Sequence, residues 1–380
     1  MIQYIVHDEA DSVGVVVVEG VKAGQELTGW VMEQDKTISC FPKALLLWLI
    51  IIGAWLLPFP AFAEKTAITV AEQTGVGYIP MMVMEKERLI EKYAKKEGLG
   101  DIKVNWTHLA GGATMNDALL ANALDFAAGG LSPAILLWNK SRGGAKMVAA
   151  VCTMPEKLTT RNPNVRSIKD LTSKDKIAMP AVGVSDQARF LQMAAAEAFG
   201  ESNYHRLDSL TVTMSHPDGY IALTSGLSID AHFTVSPFAD EEAKLPDART
   251  ILTSYDVIGG PITATVIWTT KKFHDENPKI YSAFLDALNE GIDIVNADKQ
   301  AAAKLYVNFT KSKLSQEEIY NIITQPGFYY STTPHNVDKL VKFLHKVGAV
   351  QINVADQKDL FFTEVFKASK SHPDANVSRR

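Results

Sequence analysis

The chain has 380 residues, of which 47% are hydrophobic and 21% charged, and it is long enough for two α/β domains of ordinary size. A formal net charge of −5 and a pI near 6.0 give no electrostatic reason to expect a nucleic-acid partner. The two cysteines make neither a disulfide framework nor a zinc site, and no His-x-x-x-His pair occurs among the nine histidines, so we expect no metal and no cofactor.

The segment 1–40 does not fit the start of an exported protein. Its apolar runs and glycines predict two short strands joined by glycine turns, one of them at Thr28-Gly29. On these residues, 1–35 resemble the start of the small β domain at the amino end of sugar-acid dehydratases of the altronate type. Because Met32 lies just upstream of the next segment, we interpret 1–40 as a misassigned start or a fused remnant and assign it no function.

Residues 41–63 have the pattern of a cleavable signal peptide. Lys43 precedes an apolar run of about fourteen residues from Ala44 to Leu57, short for a membrane span and suited to a signal-peptide core. Ala61-Phe-Ala63 fits a small-x-small cleavage site, so we predict cleavage after Ala63 and export to the periplasm. The alternative is an uncleaved anchor helix.

The chain after Ala63 alternates between strands and helices. The first four strands are predicted at 66–71, 101–109, 124–128 and 145–152. This alternation is typical of a parallel, doubly wound sheet. The first strand leads into Gly75-Val-Gly77, which lacks the third glycine of a dinucleotide loop. Tyr78 follows, and its ring and hydroxyl suit the mouth of a pocket.

Two glycine pairs mark candidate binding loops. Gly111-Gly112 and Gly129-Gly130 each follow a predicted strand and precede a helix start, whose N–H groups and positive dipole end suit an anion. Thr114 and Asp117 have the spacing of a capping box, and Ser132-Pro133 is typical of an N-cap followed by the first helical residue. We expect both helix starts to face one small-molecule site at the carboxyl edge of the sheet.

A polar stretch after residue 155 indicates a second lobe. We place this lobe at 156–261 and the first lobe at 64–155 and 262–380. Ser185 and Gln187 open a helix after a glycine and are candidate ligand contacts; the alternative for Ser185 is a helix cap alone.

His232, near the end of a predicted strand at 228–235, is either a structural group or a further ligand contact. Predicted strands at 250–258 and 262–268 return the chain to the first lobe. Two crossings, near 153–160 and 255–262, therefore predict a two-stranded hinge that closes the lobes on a ligand.

Taken in order, the segments 72–80, the two glycine pairs, Asp230-Ala-His-Phe233 and 254–261 resemble the nitrate/sulfonate/taurine group of periplasmic substrate-binding proteins. The likeness runs over residues 66–366. It implies a type II periplasmic-binding fold and a monomer without enzymatic activity. It also implies that the protein delivers a small, anionic ligand to the permease of an ABC importer, which a cytoplasmic ATPase powers. By position, the implied ligand contacts are Tyr78, Gly111, Gly112, Thr114, Leu131, Ser132, Ser185, Gln187, His232 and, near the hinge, Asp256.

Other functions stay open at this point. These loops carry no arginine clamp, which leaves room for a thiamine-precursor pyrimidine stacked on Tyr78, Phe238 or Tyr255. Enzymes are known on the same scaffold, and Gly130-Leu-Ser-Pro-Ala134 partly mimics the nucleophile elbow of a hydrolase but lacks its final glycine. A ligand-sensing module cannot be separated from a transport protein by sequence.

Overall fold

The computed structural model describes residues 63–226, 228–352, 354 and 356–368, together with four short strands before residue 41. The chain divides into two compact units, Met1–Ala63 and Glu64–Arg380. The core of the predicted signal peptide lies outside the described residues.

The strands of the first unit form one small sheet in the order β2-β1-β3-β4. They are β1 (Tyr4–Val6), β2 (Val15–Val16), β3 (Leu27–Val31) and β4 (Lys36–Cys40). The prediction of two strands is therefore wrong. Gly29 was assigned to a turn, but it pairs with Tyr4 on one side and with Ile38 on the other, so two ladders hold it in a strand.

The strands of the second unit form two sheets. They are β5 (Ala67–Glu72), β6 (Lys103–His108), β7 (Phe126–Gly129), β8 (Ala145–Thr153), β9 (Lys157–Thr160), β10 (Ile177–Met179), β11 (Thr211–Thr213), β12 (Ala231–Thr234), β13 (Arg249–Thr253), β14 (Thr263–Thr270) and β15 (Tyr329–Tyr330). The six-stranded sheet has the order β15-β8-β14-β7-β5-β6, and the five-stranded sheet has the order β11-β10-β12-β9-β13. We call each sheet with its covering helices a lobe, the first lobe being the one with six strands.

The helices of the second unit cover both sheets, as expected for an α/β fold. They are α1 (Ile79–Lys86), α2 (Leu89–Lys96), α3 (Gly112–Leu120), α4 (Leu131–Lys140), α5 (Asp186–Phe199), α6 (His216–Ser225), α7 (Phe238–Glu242), α8 (Ser254–Ile258), α9 (Lys271–Glu276), α10 (Pro278–Ala297), α11 (Lys299–Thr310), α12 (Gln316–Ile323), α13 (Val337–Lys346) and α14 (Glu364–Ala368). None of the helices in the described part of the chain is both long and apolar enough to cross a membrane.

Each sheet is parallel only in part. In the first lobe β5 pairs in parallel with β6 and β7, whereas β14 runs antiparallel to β7 and β8. In the second lobe β10 pairs in parallel with β11 and β12, whereas β9 runs antiparallel to β12 and β13. The reversed strands β14 and β9 each adjoin a point where the chain crosses between the sheets, and β15 also pairs antiparallel with β8. The predicted α/β architecture therefore holds with mixed sheets.

The apolar side chains that recur along α10 are core residues, as their helical spacing predicts. Leu288 and Val295 are fully buried, and α10 packs against α1 and α2. Phe284 of the same helix stacks on Phe126 of β7, with ring centroids 3.8 Å apart. This packing holds α10 against the first sheet.

Two segments connect the lobes, and they are hydrogen-bonded to each other. The first joins β8 to β9, and the second runs from β13 through α8 to β14. Glu156 in the first segment donates its backbone N–H to Ser254 Oγ at 3.0 Å, and Ser254 donates its own N–H to the Glu156 carbonyl oxygen at 2.9 Å. The predicted strand at 250–258 is wrong in its second half, because Thr253 and Asp256 form a capping box that starts α8.

Candidate functional site

A cavity of about 20 Å³ lies between the two sheets, which is space for a single water-sized group. It is formed at the carboxyl ends of the parallel strands, since Gln73 follows β5, Gly130 follows β7, Pro180 follows β10 and Val235 follows β12. The lining residues come from both lobes and from the first crossing segment. They are Gln73, Tyr78, Gly112, Gly130, Pro133, Met154, Glu156, Pro180, Ser185, Asp186, Gln187, His216, Val235, Ala264 and Thr265.

Four helices begin at this cavity. In the first lobe α3 begins at Gly112 and α4 follows Gly130, and in the second lobe α5 follows Ser185 and α6 begins at His216. Helix starts carry N–H groups without a partner in the helix and the positive end of the helix dipole. The backbone therefore makes the cavity attractive to negative charge, although no lysine or arginine is among its lining residues.

The caps predicted for the two first-lobe helices are wrong. Gly111 is the N-cap of α3, so Thr114 lies at the third helical position with its side chain exposed. Gly130 is the N-cap of α4, so Ser132 lies at the second helical position, buried, and its Oγ has no hydrogen-bond partner among the described residues. By contrast, Ser185 caps α5 and accepts the N–H of a residue three positions on, as predicted.

Asp186 supplies the cap that α4 lacks within its own lobe. Its Oδ2 accepts the N–H of Leu131 at 2.8 Å, and its Oδ1 accepts the N–H of Ser132 at 2.5 Å. A carboxyl group thus occupies the anion-binding end of α4 and joins the two lobes. A Cβ atom on Gly130 would lie only 2.6 Å from Asp186 Oδ2, so this approach requires glycine at position 130.

Glu156 places a second buried carboxyl group at the cavity from the first crossing segment. Burial and the neighbouring charge of Asp186 raise the pKa of Glu156 well above its usual value of 4.5. Burial also raises the pKa of Asp186 to about 7, against the opposing effect of its two backbone hydrogen bonds. Oε2 of Glu156 is buried and has no hydrogen-bond partner among the described residues.

On the first-lobe side, hydrogen bonds fix the orientation of two polar side chains. The Tyr78 hydroxyl donates to Gln73 Oε1 at 3.2 Å, and Gln73 Nε2 donates to the carbonyl oxygen of Ala110 at 3.1 Å. Burial raises the pKa of Tyr78 well above 10, so the hydroxyl keeps its proton. Tyr78 lines the cavity, with its hydroxyl already hydrogen-bonded to Gln73.

The histidine at the cavity is His216 rather than His232. His232 is fully buried in the second lobe, where its Nδ1 lies 2.6 Å from Glu242 Oε1. The position of His232 on β12 turns its ring under α6, and a Cβ atom on Gly219 would lie 2.3 Å from its Nε2. His216 lines the cavity, and its Nδ1 is 2.7 Å from Thr234 Oγ1.

The residues predicted to contact the ligand fall into three groups. Those that line the cavity are Tyr78, Gly112, Ser185 and Gln187. Those that lie at the contact between the lobes are Gly111, Leu131 and Ser132. Those outside the cavity are Thr114, His232 and Asp256, the last an exposed residue that caps α8.

Several lining residues were missed by the sequence analysis. Gln73 lies within the quoted segment 72–80 and directly follows β5, and Asp186 lies between the quoted Ser185 and Gln187 and is the first residue of α5. Glu156 follows β8 in the crossing segment, and position at a strand end was its only local signal. Their roles depend on the opposite lobe, which no local pattern describes.

A larger groove of about 500 Å³ lies on the outer face of the first lobe, between α1, α2, α10 and α11. It is lined by one lobe alone, and Lys92 and Glu290 form an exposed ion pair at its rim. Among the described residues, histidine, cysteine, aspartate and glutamate side chains form no group of three that could hold a metal ion. The cavity between the lobes is therefore the candidate site.

The chain was compared with known proteins. Residues 61–308 match the sequence profile of the NMT1-like family. A similar fold occurs in the alkanesulfonate-binding protein SsuA of Xanthomonas axonopodis pv. citri bound to MOPS, with a TM-score of 0.62 and 15% identity over 79% of this chain and 99% of that one. The aliphatic sulphonate binding protein SsuA of Escherichia coli has a TM-score of 0.57 and 17% identity over 80% of this chain and 100% of that one. The nitrate-binding protein NrtA of Synechocystis PCC 6803 is also similar, with a TM-score of 0.60 and 12% identity over 82% of this chain and 90% of that one. The two-lobed periplasmic-binding fold predicted from the motifs is confirmed.

One curated protein matches a short stretch of this chain closely. The alpha subunit of (2R)-sulfolactate sulfo-lyase from Chromohalobacter salexigens is 70% identical over 38 residues. The match covers 10% of this chain and 40% of the length of that subunit. A likeness of this extent does not transfer an enzymatic activity.

Proposed function

The chain belongs to the NMT1-like family, and we propose that it is the solute-binding component of an ABC importer. It captures a small solute between its lobes and delivers it to a membrane permease powered by a cytoplasmic ATPase. The observation that carries this proposal is the meeting of four helix starts from both lobes at one cavity, beside two hydrogen-bonded crossing segments. Such a site binds through backbone groups and releases its ligand when the lobes open, without bond chemistry.

The ligand class proposed is a small organic sulfonate or related oxyanion, as in the sulfonate, taurine and nitrate group. Support comes from α4, whose first two N–H groups already hold a carboxyl group at hydrogen-bonding distance. The solved neighbours named as sulfonate-binding proteins point to the same class.

Export is part of the proposal. The protein is made with a signal peptide at 41–63, is cleaved after Ala63 and acts in the periplasm as a monomer, with lobes at 64–155 plus 262–380 and at 156–261. Mass analysis of the protein secreted to the periplasm is expected to give Glu64 as the first residue. A mature protein that keeps Met1 or Met32 would exclude this cleavage.

Thermal-shift screening of the purified protein tests the ligand class. The panel contains sulfolactate, taurine, isethionate, nitrate, bicarbonate, simple carboxylates and an aminopyrimidine precursor of thiamine. A ligand at 100 times its Kd stabilises the folded protein by about 2.7 kcal/mol, which raises Tm by a few degrees. We expect a sulfonate to give the largest shift. If Tm rises with the pyrimidine alone, the ligand class is a pyrimidine and not a sulfonate. If the protein converts a panel compound into a product, its function is enzymatic and not binding alone.

A further inference from the structure

Two buried carboxyl groups face the cavity from different parts of the chain. Glu156 lies in the first crossing segment, and Asp186 is the first residue of α5 in the second lobe. Asp186 is held by two N–H groups of α4. Glu156 Oε2, in contrast, is buried without a hydrogen-bond partner among the described residues, which is unfavourable unless a ligand supplies a donor.

The other polar groups of the cavity do not supply a positive charge. The Tyr78 hydroxyl is used by Gln73, and Nδ1 of His216 is bonded to Thr234. Burial lowers the pKa of His216 to about 3, so its imidazole is neutral. No lysine or arginine is among the lining residues. The two carboxyl groups therefore have no cationic partner at the cavity.

We propose that the ligand brings a protonated nitrogen into this cavity, where Glu156 and Asp186 accept its N–H groups. The space of about 20 Å³ suits a single group of the size of an ammonium. An ammonium donates up to three hydrogen bonds, and its charge favours the ionised form of a carboxyl group beside it. The inference rests on the proposed function only in taking this cavity as the ligand site. It adds that the ligand is a small amine, with or without a sulfonate group.

Matched pairs of solutes test this inference. Taurine and isethionate share an ethanesulfonate skeleton and differ by an ammonium in place of a hydroxyl group, and ethanolammonium and ethylene glycol form a second pair without sulfonate. Isothermal titration of the wild-type protein at neutral pH is expected to show the amine of at least one pair binding at least about tenfold more tightly than its hydroxyl partner. Equal affinities within both pairs, or no binding of either amine, would overturn the inference.

Variants assign the preference to Glu156. Glu156→Gln keeps the size of the side chain and removes its charge, so the affinity ratio of the amine to its hydroxyl partner is expected to fall to near one. Glu156→Asp keeps the charge and is expected to retain most of this preference. Asp218→Asn is the matched control, because Asp218 is an exposed acid in the first turn of α6 outside the cavity lining. A Glu156→Gln protein with the full wild-type preference would contradict the proposal, and circular dichroism checks that each variant is folded. If Glu156→Gln does not fold, the wild-type pairs alone decide.

The results separate this inference from the proposed function. If isethionate binds tightly and taurine binds no more tightly, the inference is contradicted and the sulfonate proposal stands. Binding of ethanolammonium without either sulfonate keeps the inference and removes the sulfonate class. Failure of all four solutes contradicts the inference, while the wider panel still tests the binding function.

Discussion

Two buried pairs of titratable side chains in the second unit differ in whether they line the cavity between the lobes. His232 and Glu242 are both fully buried and lie 2.6 Å apart inside the second lobe. Glu156 and Asp186 are as well buried and line the cavity, where Oε2 of Glu156 has no hydrogen-bond partner among the described residues. His232 Nε2 and Glu242 Oε2 also have no partner there, but neither residue lines the cavity. Burial alone therefore does not mark a functional group. The pair with unused hydrogen-bonding capacity at a cavity is the one suited to a ligand.

The two pairs also differ in their protonation states near neutral pH. Burial raises the pKa of Glu242 to about 9 and lowers the pKa of His232 to about 3, so near neutral pH this pair is uncharged and shares one proton in its hydrogen bond. The pKa of Asp186 is raised only to about 7, and its charge adds to the burial that raises the pKa of Glu156. A cation in the cavity would favour the ionised forms of the second pair and would leave the first pair unchanged.

The largest expected effect is on stability, from His232→Ala. The change leaves Glu242 buried without its partner and creates a cavity, which together cost about 3 kcal/mol or more. Urea unfolding measures this loss. Glu242→Gln is the control, because the glutamine amide still donates a hydrogen bond to the imidazole. This substitution is expected to lower the free energy of unfolding by about 1 kcal/mol. A loss below about 1 kcal/mol for His232→Ala would refute a structural role for this pair.

The pH dependence of the same pair is the next test. Glu242 has a pKa of about 9 in the folded protein and 4.5 as its ordinary value, so its contribution to stability is fully present below pH 4.5 and is lost as the pH rises to 9. The free energy of unfolding of the wild type is therefore expected to fall relative to that of Glu242→Gln between these limits, as urea unfolding at several pH values would show. A difference that stays constant or grows with pH would be inconsistent with a protonated Glu242.

At the cavity, Gly130→Ala is expected to weaken ligand binding at least about tenfold. The added Cβ would lie 2.6 Å from Asp186 Oδ2 and would keep the lobes from closing. Because opening relieves this contact, the free energy of unfolding is expected to change much less than the affinity. Titration with the solute that binds the wild type measures the first quantity, and urea unfolding measures the second. Unaltered affinity would show that binding does not need this closed arrangement.

The smallest expected effect is that of Ser132→Ala. Ser132 holds Asp186 through its backbone N–H, and its Oγ is buried without a partner among the described residues. Removing the hydroxyl group is therefore expected to leave the affinity unchanged and to raise stability by less than about 1 kcal/mol, because it removes a buried polar atom that has no partner. A tenfold loss of affinity would instead indicate that the Ser132 hydroxyl contacts the ligand.

The sequence predicted the features that depend on local pattern. Gly112 begins α3 and Gly130 caps α4 at one cavity, because each glycine pair lies between a strand and a helix. The cap at Ser132 was wrong because Asp186, a residue of the other lobe, occupies the start of α4, and the cap at Thr114 was wrong because α3 already begins at Gly112. No spacing in the sequence encodes that contact.

Tertiary contacts also explain the remaining differences. His232 was selected because a strand end is visible in sequence, whereas the direction in which its ring faces depends on the packing of α6, and His216 was not considered. Glu156 was not predicted as a site residue, because its role arises from burial beside Asp186, which lies thirty positions away in the sequence. The antiparallel strands of both sheets likewise follow from where the chain crosses between the lobes.

A crystal structure of the protein with its best stabilising solute tests the central claim most directly. The account predicts that the solute lies between the two lobes, at the starts of α3, α4, α5 and α6, with a donor group within hydrogen-bonding distance of Glu156. A solute seated in the groove between α1, α2, α10 and α11, or bound to a single lobe away from Glu156 and Asp186, would contradict it.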